Sequence, residues 1–277
     1  MSTRPTVRAR RLTAPEGLVE LLQLAWPVVL ARLGIMTMGL TDAIVVGHHS
    51  ARQLGFHALG WAPTSIMLTT AVGLLMGVQV MTARHIGEGR RDQTGGVFRR
   101  GLVYAFWIGV ASVVALGVFG PGFLRLMGLE PELAAGAGQA LRVFAWSLPS
   151  YLGATVSIFY LEALSRPKAG MTAMWLANVV NLAANLWLVP GHSGFPVEGA
   201  VAAGWATLIA RTFLFLFLIV FIARLPEAKE LGVFAKPSDG PKAASDQIKV
   251  GLGSGASYFI EVGAFAAMTL FAGQIGG

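Results

Sequence analysis

Seven times along this 277-residue chain an apolar run reaches the roughly 20 residues that a helix needs to cross the hydrocarbon core of a bilayer. The runs extend approximately from Leu18 to Val46, Leu54 to Ala83, Gly101 to Phe119, Val143 to Ala163, Gly170 to Val189, Gly199 to Ala223 and Val250 to Ile275. The first two exceed the minimum, which predicts tilt, a bend at Pro27 or Pro63, or projection beyond the bilayer. Charged residues make up 13% of the chain, against about a quarter in a soluble domain, and mean hydropathy is +0.64. These features predict an all-α polytopic membrane protein. Without cysteine, the chain builds neither a disulfide framework nor a thiolate metal site.

A net charge of +7 invites a nucleic-acid reading until the 21 basic residues are sorted by the run that each one flanks. Arg4, Arg8, Arg10 and Arg11 precede the first run, and Arg84, Arg90, Arg91, Arg99 and Arg100 separate the second from the third. Arg166 and Lys168 lie between the fourth and fifth, and Arg224, Lys229, Lys236, Lys242 and Lys249 precede the seventh. Those sixteen fall on one side; Arg52, Arg125 and Arg142 fall on the other. The positive-inside rule then predicts a cytoplasmic N-terminus, and the positive charge reports topology. Spread over several short connections, it forms no basic face interleaved with aromatics for nucleic acid. The Arg10-Arg11 pair does not make an export signal, because the following run is long, contains Asp42 and lacks a small-residue cleavage site.

Between Pro226 and Asp246, prolines, glycine and mixed charge replace apolar periodicity. The expected division is a cytoplasmic tail (1–17), a six-helix transmembrane lobe (18–224), a cytoplasmic linker (225–247) and a single helix opening a second lobe (248–277). Because many transporters join two six-helix halves by such a linker, the arrangement reads as one lobe plus the first helix of another, and the chain as a fragment.

Ionisable groups at bilayer depth cost at least about 2.5–3.5 kcal/mol on insertion scales, so each calls for a partner or a function. Glu20 and Glu162 fall near the cytoplasmic ends of their runs and are expected at the headgroups. Asp42, in Met38-Gly39-Leu40-Thr41-Asp42-Ala43, and Glu261, about thirteen residues into the seventh run, are the informative carboxylates. Each has a plain structural reading, a buried acid satisfied by neighbours, and a functional one, a carboxylate whose proton occupancy switches near neutral pH. Glu261 has a third, as a ligand of dehydrated Na⁺. Arg32 lies some 15 Å of helix rise before Asp42, too far for a direct pair on one helix. Arg211, bracketed by Thr207 and Thr212, calls for an acid on another helix, with Asp42 one candidate. Asn181 and Asn185 share a helix face at i and i+4, able to reach a carboxylate on a neighbouring helix or to act as interhelical glue.

Other signals carry less. Gly251-Leu252-Gly253-Ser254-Gly255 imitates part of a dinucleotide loop but follows no strand, and no P-loop pattern offers ATP binding. His48 and His49 have no metal-ligand partner at useful spacing, and Gly73 with Gly77 reads as helix packing. No hydrolase constellation is present, so no enzymatic activity and no cofactor are expected.

Taken in order, these residues resemble the multidrug and toxic compound extrusion (MATE) family, in its NorM-like branch. The likeness runs from Leu24-Ala25-Trp26-Pro27 through Asp42 to Gly47, then through Gly73-Leu74-Leu75-Met76-Gly77-Val78-Gln79-Val80 with Gly87-Glu88-Gly89-Arg90. It continues in Asn181-Leu182-Ala183-Ala184-Asn185, in Gly194-Phe195-Pro196-Val197-Glu198-Gly199-Ala200, in Ala206-Thr207 and in Tyr258-Phe259-Ile260-Glu261. The resemblance implies a twelve-helix antiporter of the bacterial inner membrane. Such a protein exports small, often cationic, organic compounds against Na⁺ or H⁺, without ATP. It assigns Asp42 as the first-lobe cation or proton switch, Asn181 and Asn185 as polar positions facing it, Pro27 as a helix bend, and Glu261 as a second-lobe cation site with Na⁺ as candidate ion. Arg32 departs from the neutral polar residue expected there. A lipid-linked saccharide flippase of similar architecture and a non-transporting assembly subunit are the competing readings.

Overall fold

The computed structural model describes residues 14–235, 242–257 and 260; Glu20's side chain, Glu261 and the far end of the seventh run lie outside the described residues. Six helical rods emerge. The first is α1 (Ala14–His49); the second joins α2 (Ala51–Leu75) to α3 (Gly77–Gly87). The third runs from α4 (Thr94–Val113) through a π-helical turn (Val114–Phe119) into α5 (Gly120–Leu126). The fourth pairs α6 (Pro131–Trp146) with α7 (Leu148–Ala163), and α8 (Pro167–Leu188) and α9 (Gly199–Ala223) complete the set. A further helix, α10, spans 242–257.

Among the described residues, five continuous stretches are long and apolar enough to cross a membrane: Leu21–His49, Ala51–Gly87, Arg91–Leu126, Pro167–Leu188 and Gly199–Ala223. The fourth rod corrects the sequence reading, which places a single span at 143–163. That window straddles a joint at Ser147, whose backbone N–H bonds back to Phe144 O instead of continuing the α-helical ladder. Pro149 supplies the local reason, since it has no N–H to donate to the preceding turn. The third span also begins earlier than its apolar run, because Arg99 is helical and donates to the carbonyls of Gly232 and Val233 at 2.5 and 2.8 Å.

Packing gathers the core around α7, whose residues Leu152 to Leu161 are almost all buried, with α4, α9 and α3 against it. The remaining scaffold runs from α1 to α8 to α9. α1 approaches α8 closely at Gly34, where a Cβ would lie 2.6 Å from Met174 Cγ, and Asn178 Nδ2 donates to Gly34 O at 3.0 Å. A side chain at 34 would push apart the two helices that carry Asp42 and its asparagines.

The connections sort onto two faces. On one, Arg166 pairs with Glu227 at 2.5 Å, Gly95 N donates to Leu231 O, and Glu88 sits between Arg84 and Arg90. Those two guanidiniums push the exposed Glu88 carboxyl down to about 2. On the other face, Arg52 pairs with Glu132, and Gln53 Oε1 accepts from Ala200 N. The stretch read as an open linker is packed where it is described: Leu225, Ala228, Leu231 and Val233 are buried. Lys242 through Gln247 already belong to α10. At the crossing of α10 with the α2–α3 joint, a Cβ on Gly77 would fall 2.2 Å from Gln247 O, and one on Gly251 2.1 Å from Leu74 O.

Candidate functional site

Asp42 lies seven residues before the end of α1, on the side of that helix turned toward α8 and α9, and is 1% exposed. Its Oδ1 accepts from Asn181 Nδ2 at 2.9 Å and from Asn185 Nδ2 at 2.7 Å; its Oδ2 accepts from Thr207 Oγ1 at 2.5 Å. The i, i+4 spacing of the asparagines brings both amides of α8 onto one carboxylate oxygen, as their shared face allows. All three donors are neutral, so the carboxylate is solvated by dipoles and not cancelled by a contacting cation. Charge-assisted bonds of this kind contribute roughly 1.5–3 kcal/mol each, which offsets part of the cost of burying the acid.

The amides that donate to Asp42 leave their oxygens unmet. Oδ1 of Asn181 and Oδ1 of Asn185 are buried and have no hydrogen-bond partner among the described residues. Buried acceptors are nearly always paired, so these two amide oxygens on α8 are acceptors open to a donor or a hard cation. Amide and carboxylate oxygens are hard ligands, suited to a proton or to Na⁺, and unsuited to a soft metal.

Arg211 follows Thr207 by one turn of α9 and is 2% exposed. It makes no salt bridge to a described carboxylate, Asp42 included. Its Nη1 donates to Ser147 Oγ at 2.7 Å, and its guanidinium carbon stands 4.7 Å from the Tyr151 ring centre and 5.4 Å from that of Trp61. A hydroxyl at the α6–α7 joint and two aromatic faces thus make its direct contacts, while Asp42, the candidate acid of the sequence reading, acts on it through space without a salt bridge. Arg32 does find an acid: Nη2 lies 3.7 Å from Glu162 Oε1. Glu162 is therefore no headgroup carboxylate. Its side chain is 5% exposed and accepts from Gln79 Nε2 at 3.1 Å, because α7 sits in the centre of the bundle and not at its rim.

The geometry thus assembles Asp42, Asn181 and Asn185 from the sequence-derived candidates, places Pro27 inside α1, and leaves Glu261 outside the described residues. Thr207, a direct ligand of the carboxylate, was missed. Its signals were a place in the Ala206-Thr207 motif and a hydroxyl one turn from an arginine in a largely apolar helix.

Residues 27–187, which carry Asp42 and both asparagines, match the MatE family. The chain belongs to the MatE family. A probable multidrug resistance protein NorM of Caulobacter vibrioides is 59% identical to it over 258 residues, covering 93% of this chain and 55% of that protein. The chain therefore spans about half the length of that curated relative. A eukaryotic MATE transporter superposes with a TM-score of 0.81 at 14% identity, covering 92% of this chain and 57% of the other. An outward-facing multidrug resistance MATE family transporter superposes at 0.77 with 21% identity, covering 86% and 52%. The MatE fold is thus a multi-pass helical membrane architecture, and Asp42, Asn181 and Asn185 lie in the matched part of it, with Thr207 beyond its end.

Proposed function

We propose that this chain supplies the first lobe of a cation-coupled antiporter that exports small organic compounds, with Asp42 as the group that takes up the coupling H⁺ or Na⁺. One observation carries the reading. A carboxylate buried inside the helix bundle accepts, among the described residues, only from neutral donors, and the Oδ1 atoms of the two asparagines that bind it have no partner there. Uptake of a cation there converts the arrangement. A proton on Asp42 becomes a donor to an amide oxygen, or Na⁺ draws the carboxylate and amide oxygens onto itself; either outcome reorders the contacts among α1, α8 and α9. A bound ion shifts a conformational equilibrium only by its differential affinity for the two states, and a contact set that must rearrange on binding supplies that difference.

In this proposal residues 18–224 form the lobe, 225–247 connect it to the second, and 248–277 open that second lobe, with Glu261 as its cation-site residue and Pro27 as the point where α1 bends. The face carrying Arg166, Arg84 and Arg90 is cytoplasmic, following the positive-inside rule, in a bacterial-type inner membrane. The NorM relative's description as a multidrug resistance protein supports export of drugs as the activity. The experiment is uptake of a fluorescent organic cation into vesicles under an imposed pH or Na⁺ gradient. Gradient-driven transport that persists unchanged in Asp42→Asn overturns the assignment of Asp42.

A further inference from the structure

Beside Arg32, which lies about 15 Å of helix rise before Asp42 on α1, a second buried carboxylate is less completely satisfied than the first. Glu162 Oε2 accepts from Gln79, but Oε1 is buried with no hydrogen-bond donor. The Arg32 guanidinium approaches to 3.7 Å, short of the 2.7–2.9 Å of a closed ion pair, and its central carbon lies 5.4 Å from the centre of the buried Phe159 ring. The Arg32 side chain is 39% exposed and makes no hydrogen bond among the described residues, whereas the Glu162 side chain is 5% exposed, so Arg32 is the partner of the pair free to leave by rotating its side chain. An unmet charged acceptor inside a protein is expensive, and among the described residues the Arg32 guanidinium is the cation that offsets it.

A carboxylate beside an aromatic face is the chemistry that recognises organic cations, and a guanidinium, flat and weakly hydrated, suits it well. We infer that Glu162, Gln79 and Phe159 form a second binding site, for guanidinium-type organic cations, which Arg32 occupies as a tethered stand-in. A free cation binds by displacing Arg32 toward the exposed side of α1, and the tether keeps Glu162 from standing unpaired when no ligand is present. Arg32 therefore competes with ligand and sets its apparent affinity.

The test is calorimetric binding of phenylguanidine to the full protein in nanodiscs, without any ion gradient. If the tether fills the site nine-tenths of the time, Arg32→Gln binds the probe about tenfold more tightly than wild type, because apparent affinity scales with the fraction of free sites. Arg32→Lys, which keeps a tethered cation, stays near wild type, and adding Glu162→Gln to Arg32→Gln abolishes the gain. Since the chain has no cysteine, Arg32→Cys offers a second route. Modification with a trimethylammonium-bearing thiol reagent restores a tethered cation and weakens probe binding, whereas a neutral methylthio group does not. Equal affinities of wild type and Arg32→Gln, or tight binding that survives Glu162→Gln, overturn the inference. Because the readout is binding alone, Asp42→Asn leaves the Arg32→Gln gain intact, so this proposal and ion coupling at Asp42 fail separately.

Discussion

Replacing Thr207 with valine removes one hydroxyl and keeps the shape of the side chain. Among the described residues, Thr207 is the sole donor to Asp42 Oδ2, and both groups are 1% exposed, so no solvent replaces the lost bond. Hydrogen bonds to a charged group contribute roughly 1.5–3 kcal/mol, and the carboxylate oxygen left without a donor places Thr207→Val in that range. For chains of 150–250 residues each kcal/mol moves the melting temperature by about 2–4 °C, which makes the expected loss about 3–12 °C. The sign depends on protonation. A donor stabilises the ionised carboxylate more than the neutral acid, so the loss is largest at alkaline pH and shrinks under acid conditions where Asp42 carries a proton. Scanning fluorimetry of the detergent-solubilised protein at several pH values, with Thr207→Ser as the variant that keeps the hydroxyl, measures it. A loss of equal size at every pH, or no loss at all, refutes the claim that this hydroxyl serves an ionisable Asp42.

Ser147→Ala, which takes away the oxygen that receives Arg211 Nη1, is expected to cost about 1.5–3 kcal/mol, read by the same melting assay. Arg166→Ala, which breaks a half-exposed pair with Glu227, is expected to change stability by no more than about 1 kcal/mol, a difference that 1 M salt erases. Glu88, pushed down to about 2 by Arg84 and Arg90, contributes stability that is present above the ordinary carboxylate value and lost as pH falls toward 2. Melting of Glu88→Gln is therefore expected to converge on wild type in strong acid. Gly77→Val forces a side chain into the backbone of α10, and disulfide trapping between cysteines introduced at Leu74 and Gly255 is expected to drop sharply as a result.

Much of the site was legible because its signals are local and costly. An aspartate in an apolar run has to be explained, and Asn181 and Asn185 declare a common face by spacing alone, so the carboxylate–amide arrangement follows from elementary helix geometry. What escaped is what depends on which helices touch. Glu162 stands near the end of its run, where an acid ordinarily meets headgroups, and only the central position of α7 makes it buried. Arg211 was matched to an acid by charge logic, yet the fold surrounds it with a hydroxyl and two aromatic faces, whose partnership with arginine leaves no mark in any one segment. The α6–α7 joint was hidden because Ala- and Gly-rich α6 falls below the apolarity of a membrane run, although it continues the same rod.

The crossing of Gly77 and Gly251 sets helix against helix with backbone on both sides and no side chain between. Contacts made by long side chains yield gradually, since rotamers adjust as the gap changes. Two bare backbones have nothing to adjust: they are seated or they are apart. A methyl group at either glycine therefore acts as a wedge that holds α10 off the α2–α3 joint.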